Sequence, residues 1–206
     1  MKPGSGTAQN AQNEAQRYEI RFSGSGGQGL ITLAIIFAEA VGVYSDRDVC
    51  QTQSYGPEAR GGKSKAEVVI STGAIDYPKA LGLDLLLAMT QAACDAYFFD
   101  LNPHGILVAD KGLVKQLPTS RVVAIPFTEI AKEEIGRAVT ANMVALGAVG
   151  VLSDQVDPAV LEQALLTKVP KGSEDMNRLA LQRGIEEAKK INLDTLPRSV
   201  ISDDEM

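Results

Sequence analysis

The chain has no tryptophan, and only two of its 206 residues are cysteine, Cys50 and Cys94. Two thiols are too few for an iron–sulfur cluster, and their wide separation does not match a zinc knuckle. Both read as small buried hydrophobes. The single histidine, His104, sits in Asn102-Pro103-His104-Gly105, whose composition is that of a surface turn rather than the setting of a general base. No long hydrophobic run is present. The best candidate, residues 30–43, is broken by Glu39 and falls short of the ~20 residues that span a bilayer. Residues 1–17 are polar and lack the apolar stretch of a secretory signal, so a cytoplasmic location without membrane attachment is expected. Excess positive charge is also missing. Twenty Lys and Arg face 26 Asp and Glu, giving a net charge of -6 and an isoelectric point near 4.9, which argues against nucleic acid as a partner.

What is present is ordinary globular composition, 45% hydrophobic and 22% charged, which is enough to bury one sizeable core. Residues 1–17 read as a flexible extension, 18–191 as a single domain, and 192–206 as a loose tail with the acidic finish Asp203-Asp204-Glu205. Within the domain, strand-like and helix-like stretches alternate. Strands are expected at 18–23, 49–53, 65–70, 83–89, 106–109 and 122–125. Helices are expected at 30–43, 90–100, 127–135, 142–152, 158–167 and 174–191, with Pro158 suited to a first helical turn. No helix separates the second and third strands, so these predict an antiparallel hairpin on an otherwise parallel sheet. The class is α/β, Rossmann-like, with a helical C-terminal third.

The most informative stretch follows the first strand directly and opens the first helix: Gly24-Ser25-Gly26-Gly27-Gln28-Gly29. Glycines tolerate backbone angles that a Cβ forbids, and they let a phosphate approach the free N–H groups and positive end of the helix. A packing-only turn is the plain alternative; the strand–helix context favours a phosphate or diphosphate site. A nicotinamide dinucleotide fits less well, because the acidic residue that holds its ribose belongs at the carboxyl end of the second strand. That strand ends Gln51-Thr52-Gln53, while Asp46 and Asp48 lie at its start. A P-loop fits less well still, because Gly29 is followed by Leu30-Ile31 rather than Lys and Ser or Thr.

A second stretch, Gln53-Ser54-Tyr55-Gly56-Pro57-Glu58-Ala59-Arg60-Gly61-Gly62, predicts a shaped loop at the same end of the sheet. Arg60 offers a planar fork for phosphate, and Tyr55 a stacking face with a hydroxyl. An ordinary surface hairpin is the competing reading. Lys63 and Lys65 could assist an anion, although solvated lysines are the simpler account.

Together these motifs, Ser-Gly-x-Gly-Gly-Gln-Gly at 23–29 and Gln-Ser-Tyr-Gly-Pro-Glu-Ala-Arg-Gly-Gly at 53–62, resemble the gamma subunit of the 2-oxoacid:ferredoxin oxidoreductases, which include pyruvate, 2-oxoglutarate and branched-chain enzymes. Asn142 in its Asn-Met-Val-Ala-Leu-Gly-Ala run and Asn177 in Asp-Met-Asn-Arg-Leu-Ala extend the likeness over about residues 18–190. The resemblance implies a subunit without catalytic residues of its own. Its assembly would convert 2-oxoacid, coenzyme A and oxidised ferredoxin to acyl-CoA, carbon dioxide and reduced ferredoxin. Thiamine diphosphate, magnesium and [4Fe-4S] clusters would reside in partner alpha, beta and ferredoxin-like delta subunits. This chain would contribute to the coenzyme A site through Gly24, Gly26, Gly27, Gln28, Gly29, Ser54, Tyr55, Arg60, Gly61 and Gly62, with the amides of Gly26, Gly27 and Gly29 at the diphosphate, Ser54 and Tyr55 along the pantetheine, and Arg60 at a phosphate. A free-standing NAD(P)-binding oxidoreductase and a cofactor-free scaffold are the rival readings.

Overall fold

A computed structural model describes residues 16–55 and 63–197. The first strand, β1 (Arg17–Ser25), alternates Ile20 and Phe22 on one face with Glu19, Arg21 and Ser23 on the other. It runs through the glycine turn into α1 (Leu30–Tyr44), seven of whose residues are buried. The hairpin β2 (Asp48–Tyr55) and β3 (Lys63–Ser71) follows, then β4 (Leu83–Ala88). Next come α2 (Gln91–Tyr97), a 3-10 turn at Phe98–Asp100, β5 (Leu101–Asp110) and β6 (Val122–Ile125). Four helices complete the described chain: α3 (Phe127–Glu133), α4 (Ala141–Ser153), α5 (Pro158–Lys168) and α6 (Glu174–Lys189).

The six strands lie in the order β2-β3-β1-β4-β5-β6. β1, β4, β5 and β6 are parallel neighbours; β3 pairs antiparallel with both β1 and β2. The expected hairpin is therefore present, and it forms the edge of the sheet beside β1. β2 consequently points the same way as β1, and only β3 runs against the rest.

The two faces of the sheet are finished differently. Ile20, Phe22, Val68, Ile70, Leu85 and Leu87 turn into the main core beneath α1 and α4. On the opposite face, Leu83, Leu86, Leu107 and Ala109 pack with Cys94 of α2 and with Val114. Where that face belongs to β1 and β3 it carries Glu19, Arg21 and Glu67, all buried. The helices α4 and α6 meet backbone to backbone: a Cβ at Gly147 would lie 2.1 Å from the Leu181 carbonyl, and one at Gly184 would lie 1.8 Å from that of Val144. Larger residues at either position would force the helices apart.

Three stretches differ from what local sequence predicts. Asn102-Pro103-His104-Gly105 is part of β5 rather than a turn, and it bulges, since the pairing with β4 shifts between Leu83↔Leu101 and Leu85↔Ile106. The Asn102 amide donates to the Gly82 carbonyl and to Asp84, which holds the bulge against the neighbouring strand. Pro103 fits because a bulged residue owes no ladder hydrogen bond. Arg17 belongs to β1, where it donates to the Tyr77 and Lys79 carbonyls. Residues 192–197 lie against the body: Leu193 and Leu196 pack on the core, and Arg121 donates to the Pro197 carbonyl.

Candidate functional site

The glycine turn leaves the carboxyl end of β1 and is closed by Gln28. Its backbone N–H donates to the Ser25 carbonyl, and its side-chain oxygen accepts from the Ser25 N–H at 2.7 Å. That folded side chain explains Gly24, since a Cβ there would lie 2.3 Å from Gln28 Oε1. Gly27 and Gly29 have φ of 90° and 72°, the left-handed region that glycine enters without strain. A Cβ on Gly27 would meet nothing within 4 Å, so the turn is open on that side, and Gly26 is exposed beside it.

Gly29 is the N-cap of α1 and supplies no side-chain acceptor, and the first turn of α1 contains no acidic residue. The N-terminus of α4, which follows Thr140, likewise has neither a side-chain cap nor an acid in its first turn. By contrast, α2 is capped by Thr90 and α5 by Asp157, each through its side chain. The first N–H groups of α1 therefore keep unspent donor capacity and positive potential, whereas the first N–H of α4, that of Ala141, is already given to the Ala138 carbonyl of the 3-10 turn before it. Both ends border one cavity of about 300 Å3, lined by Gly27, Gln28, Met89, Leu113, Thr128, Val139 and Asn142 among others. Met89, Leu113 and Thr128 follow β4, β5 and β6, so the cavity sits over the carboxyl ends of the parallel strands, where open α/β sheets bind ligands.

Asn142 joins the two helix ends. Its amide donates to the Gly29 carbonyl at 3.3 Å, and it is 7% exposed. Asn177, the other asparagine singled out above, donates instead to Ser173 at the start of its own helix, α6. Asp110 shapes the far wall. Fully buried at the end of β5, it accepts from the Gly112 and Thr128 N–H groups and from the Thr128 hydroxyl. Neither the partner of Asn142 nor the role of Asp110 has a local signature; the nearest signal is an acid at the end of a strand just before a glycine.

The second motif divides. Ser54 and Tyr55 are strand residues at the end of β2, not loop residues, while Arg60, Gly61 and Gly62 lie outside the described residues. Tyr55 pairs with Ser64, and Ser25 with Lys63, so both connections leave the same end of the sheet. Ser54 borders a separate cavity of about 240 Å3 with Thr52, Lys65, Glu67 and Lys79, which shares no lining residue with the first.

That second cavity overlies a charged network. Arg21, 3% exposed, donates to Glu67 at 2.8 Å and to Asp100, and stacks 5.1 Å from the centre of the Tyr97 ring. Lys65 reaches Glu67 at 3.0 Å. Burial pushes the Glu67 carboxyl up, but Lys65 and Arg21 outweigh it and hold the group below the usual range. Burial raises the Tyr97 phenol. Among the described residues no cluster of three His, Cys, Asp or Glu could hold a metal ion, and no helix is long and apolar enough to cross a membrane.

The family described as pyruvate ferredoxin/flavodoxin oxidoreductase matches residues 19–187, almost all of the sheet and of the helical layer. The chain belongs to that family. It is 45% identical to the 2-oxoglutarate synthase subunit KorC of Methanocaldococcus jannaschii, over 88% of this chain and 100% of that one. Among solved structures, the gamma subunit of a keto/oxoacid ferredoxin oxidoreductase from Geobacter sulfurreducens superposes with a TM-score of 0.78 at 46% identity, covering 85% of this chain and 98% of its own. The chain is thus a gamma-type subunit of a 2-oxoacid:ferredoxin oxidoreductase, an oxidoreductase built from several subunits. The Magnetococcus marinus 2-oxoglutarate:ferredoxin oxidoreductase, whose structure holds 2-oxoglutarate, coenzyme A and succinyl-CoA, shares the fold with a TM-score of 0.74 at 23% identity. This chain covers 85% of its own length there but 32% of the longer Magnetococcus chain.

Proposed function

We propose that this subunit supplies the phosphate-binding part of the coenzyme A site in an assembly that oxidatively decarboxylates 2-oxoglutarate. The single observation that carries the reading is the open glycine turn at the uncapped N-terminus of α1, beside the cavity over the parallel strand ends. Donors that no side chain satisfies, at the positive end of a helix, suit a diphosphate. Gly26, Gly27 and Gly29 would offer their N–H groups, Gln28 would hold the turn, and Arg60 would pair with a phosphate. Ser54 and Tyr55 would face the pantetheine from the end of β2. The choice of 2-oxoglutarate rests on relatives: subunits of 2-oxoglutarate synthase are 34–45% identical, against 28–30% for the pyruvate synthase subunits.

In this reading the carbon chemistry belongs to thiamine diphosphate with magnesium, and the electrons pass through [4Fe-4S] clusters to ferredoxin, all held by alpha, beta and delta partners. This chain binds and orients the thiol carrier. A nicotinamide dinucleotide is less suited. The hairpin that follows α1 places the antiparallel β3 beside β1, and Asp48 opens β2 at the end of the sheet away from the glycine turn.

Calorimetry on the assembled complex tests the proposal. Coenzyme A should bind, and Gly27→Val should weaken it while partner association is retained; NAD binding to the lone chain would support the dinucleotide reading instead. If neither ligand responds to changes in either glycine motif, the chain is a scaffold.

A further inference from the structure

The sheet's two edges are finished differently. β6 is four residues long, and Arg121 just before it ties down the C-terminal segment through the Pro197 carbonyl at 2.8 Å. β2, at the other edge, is eight residues long. It contains no proline and no lysine, and its only charge is Asp48 at the start. Its ladder to β3 runs without a register shift from Asp48↔Ser71 to Tyr55↔Ser64. Among the described residues its backbone pairs only with β3, and the Thr52 carbonyl accepts from the side chain of its own neighbour, Gln51.

An edge strand turns alternate N–H and C=O groups away from its neighbour, where they template a further strand. Natural proteins blunt such edges with charge, proline, bulges or short length. β2 uses none of these, although the opposite edge is both short and flanked by a docked segment. The edge is therefore suited to be covered.

We propose that β2 pairs antiparallel with β2 of a second copy of this chain about a two-fold axis, joining two six-stranded sheets into one. The sequence of the strand argues for this occupant. Sheet alternation requires that residues of the same face oppose each other, so the axis must pass through a residue near the middle, Gln51 or Thr52. About Gln51, Asp48 falls opposite Ser54; about Thr52, it falls beyond Tyr55. In neither register do like charges meet: Thr52 opposes Cys50 about Gln51 and itself about Thr52, while Ser54 opposes Asp48 in the first register and Cys50 in the second. The strand is thus compatible with itself along its length, and a two-fold contact of this kind closes at two copies without propagating.

Thr52→Cys tests both registers at once. About Gln51 the new thiol opposes the native Cys50 of the other copy, and about Thr52 it opposes itself; directly opposed strand residues lie within disulfide reach. Cys94 is buried and does not compete. In the purified full chain we expect light scattering to give twice the 21.9 kDa chain mass and Thr52→Cys to become a covalent dimer under mild oxidation. Thr52→Lys, which places a cation on the half-exposed edge beside Glu67, should yield monomers that remain folded. A monomeric wild-type chain together with no crosslink, in both the free subunit and the assembled complex, overturns the proposal. A dimer that survives Thr52→Lys overturns it in favour of another face, and a crosslink to a different subunit shows that the edge serves a heterologous strand.

Discussion

Asn142 occupies the space that a Gly29 side chain would need: a Cβ on Gly29 would lie 2.3 Å from Asn142 Nδ2, the same atom that donates to the Gly29 carbonyl. The N-termini of α1 and α4 are thereby fitted to one another. Gly29→Ala should therefore be destabilising on two counts, the clash and the left-handed φ, together above about 2 kcal/mol. Asn142→Ala alone should cost about 1 kcal/mol through the lost hydrogen bond. The double variant should be less destabilised than the sum, because removing the Asn142 side chain relieves the clash, leaving the backbone strain and the lost hydrogen bond. Chemical denaturation of all four proteins reads the coupling; strict additivity would mean that the two residues do not share this space.

Gly27 is the complementary case. A side chain there meets nothing, so Gly27→Val should lose only the conformational advantage of glycine, on the order of 1–2 kcal/mol, and remain folded. In the assembled enzyme it should raise the apparent KM for coenzyme A while leaving that for the oxoacid nearly unchanged. Arg60→Ala should do the same, by about tenfold or more for a lost charge-assisted contact of about 1.5–3 kcal/mol. Unaltered coenzyme A saturation in both variants would remove this subunit from the coenzyme A site.

The homogeneous chain should show no oxoacid-dependent reduction of ferredoxin or of a viologen dye, because in the proposed division of labour every redox and thiamine centre is brought by partners. Activity should return on mixing with them. Turnover by the single chain would contradict that division.

Glu67 lies against Arg21 with both side chains almost fully buried. Its folded pKa is depressed, so the stabilisation it gives is fully present above the ordinary carboxylate value of about 4.3 and is lost as pH falls through the lower folded value. Glu67→Ala should cost about 3 kcal/mol near neutrality, because Arg21 would stay buried with only the half-exposed Asp100. Its stability curve should also lack part of the wild-type decline in acid. Parallel curves for the two proteins down to low pH would show that Glu67 is not the titrating group.

Most of the secondary structure was legible because it follows local rules. Alternation marked β1 and β3, and α1 followed the glycines directly. The absence of helical spacing between residues 53 and 65 marked the hairpin, and β6 was read to the residue. Asn102 to Gly105 misled because the turn preference of Asn, Pro and Gly was overridden by tertiary bonds, chiefly from Asn102 to Gly82. The glycine turn was legible for the same local reasons. The rest of the cavity was not, since Asn142 meets Gly29 across 113 positions and Met89, Leu113 and Thr128 come from three further strand ends. Likewise Arg21 gives no hint in sequence of the Glu67 and Asp100 that surround it.

The close crossing of α4 and α6 makes the two helices one rigid lever. Gly147 and Gly184 let their backbones touch, so α4 cannot sink or rise without carrying α6 with it. Asn142 rides on the first turn of α4, ahead of that crossing. The width of the gap between α4 and the glycine turn is therefore gauged from behind, by two missing methyl groups that no ligand would touch.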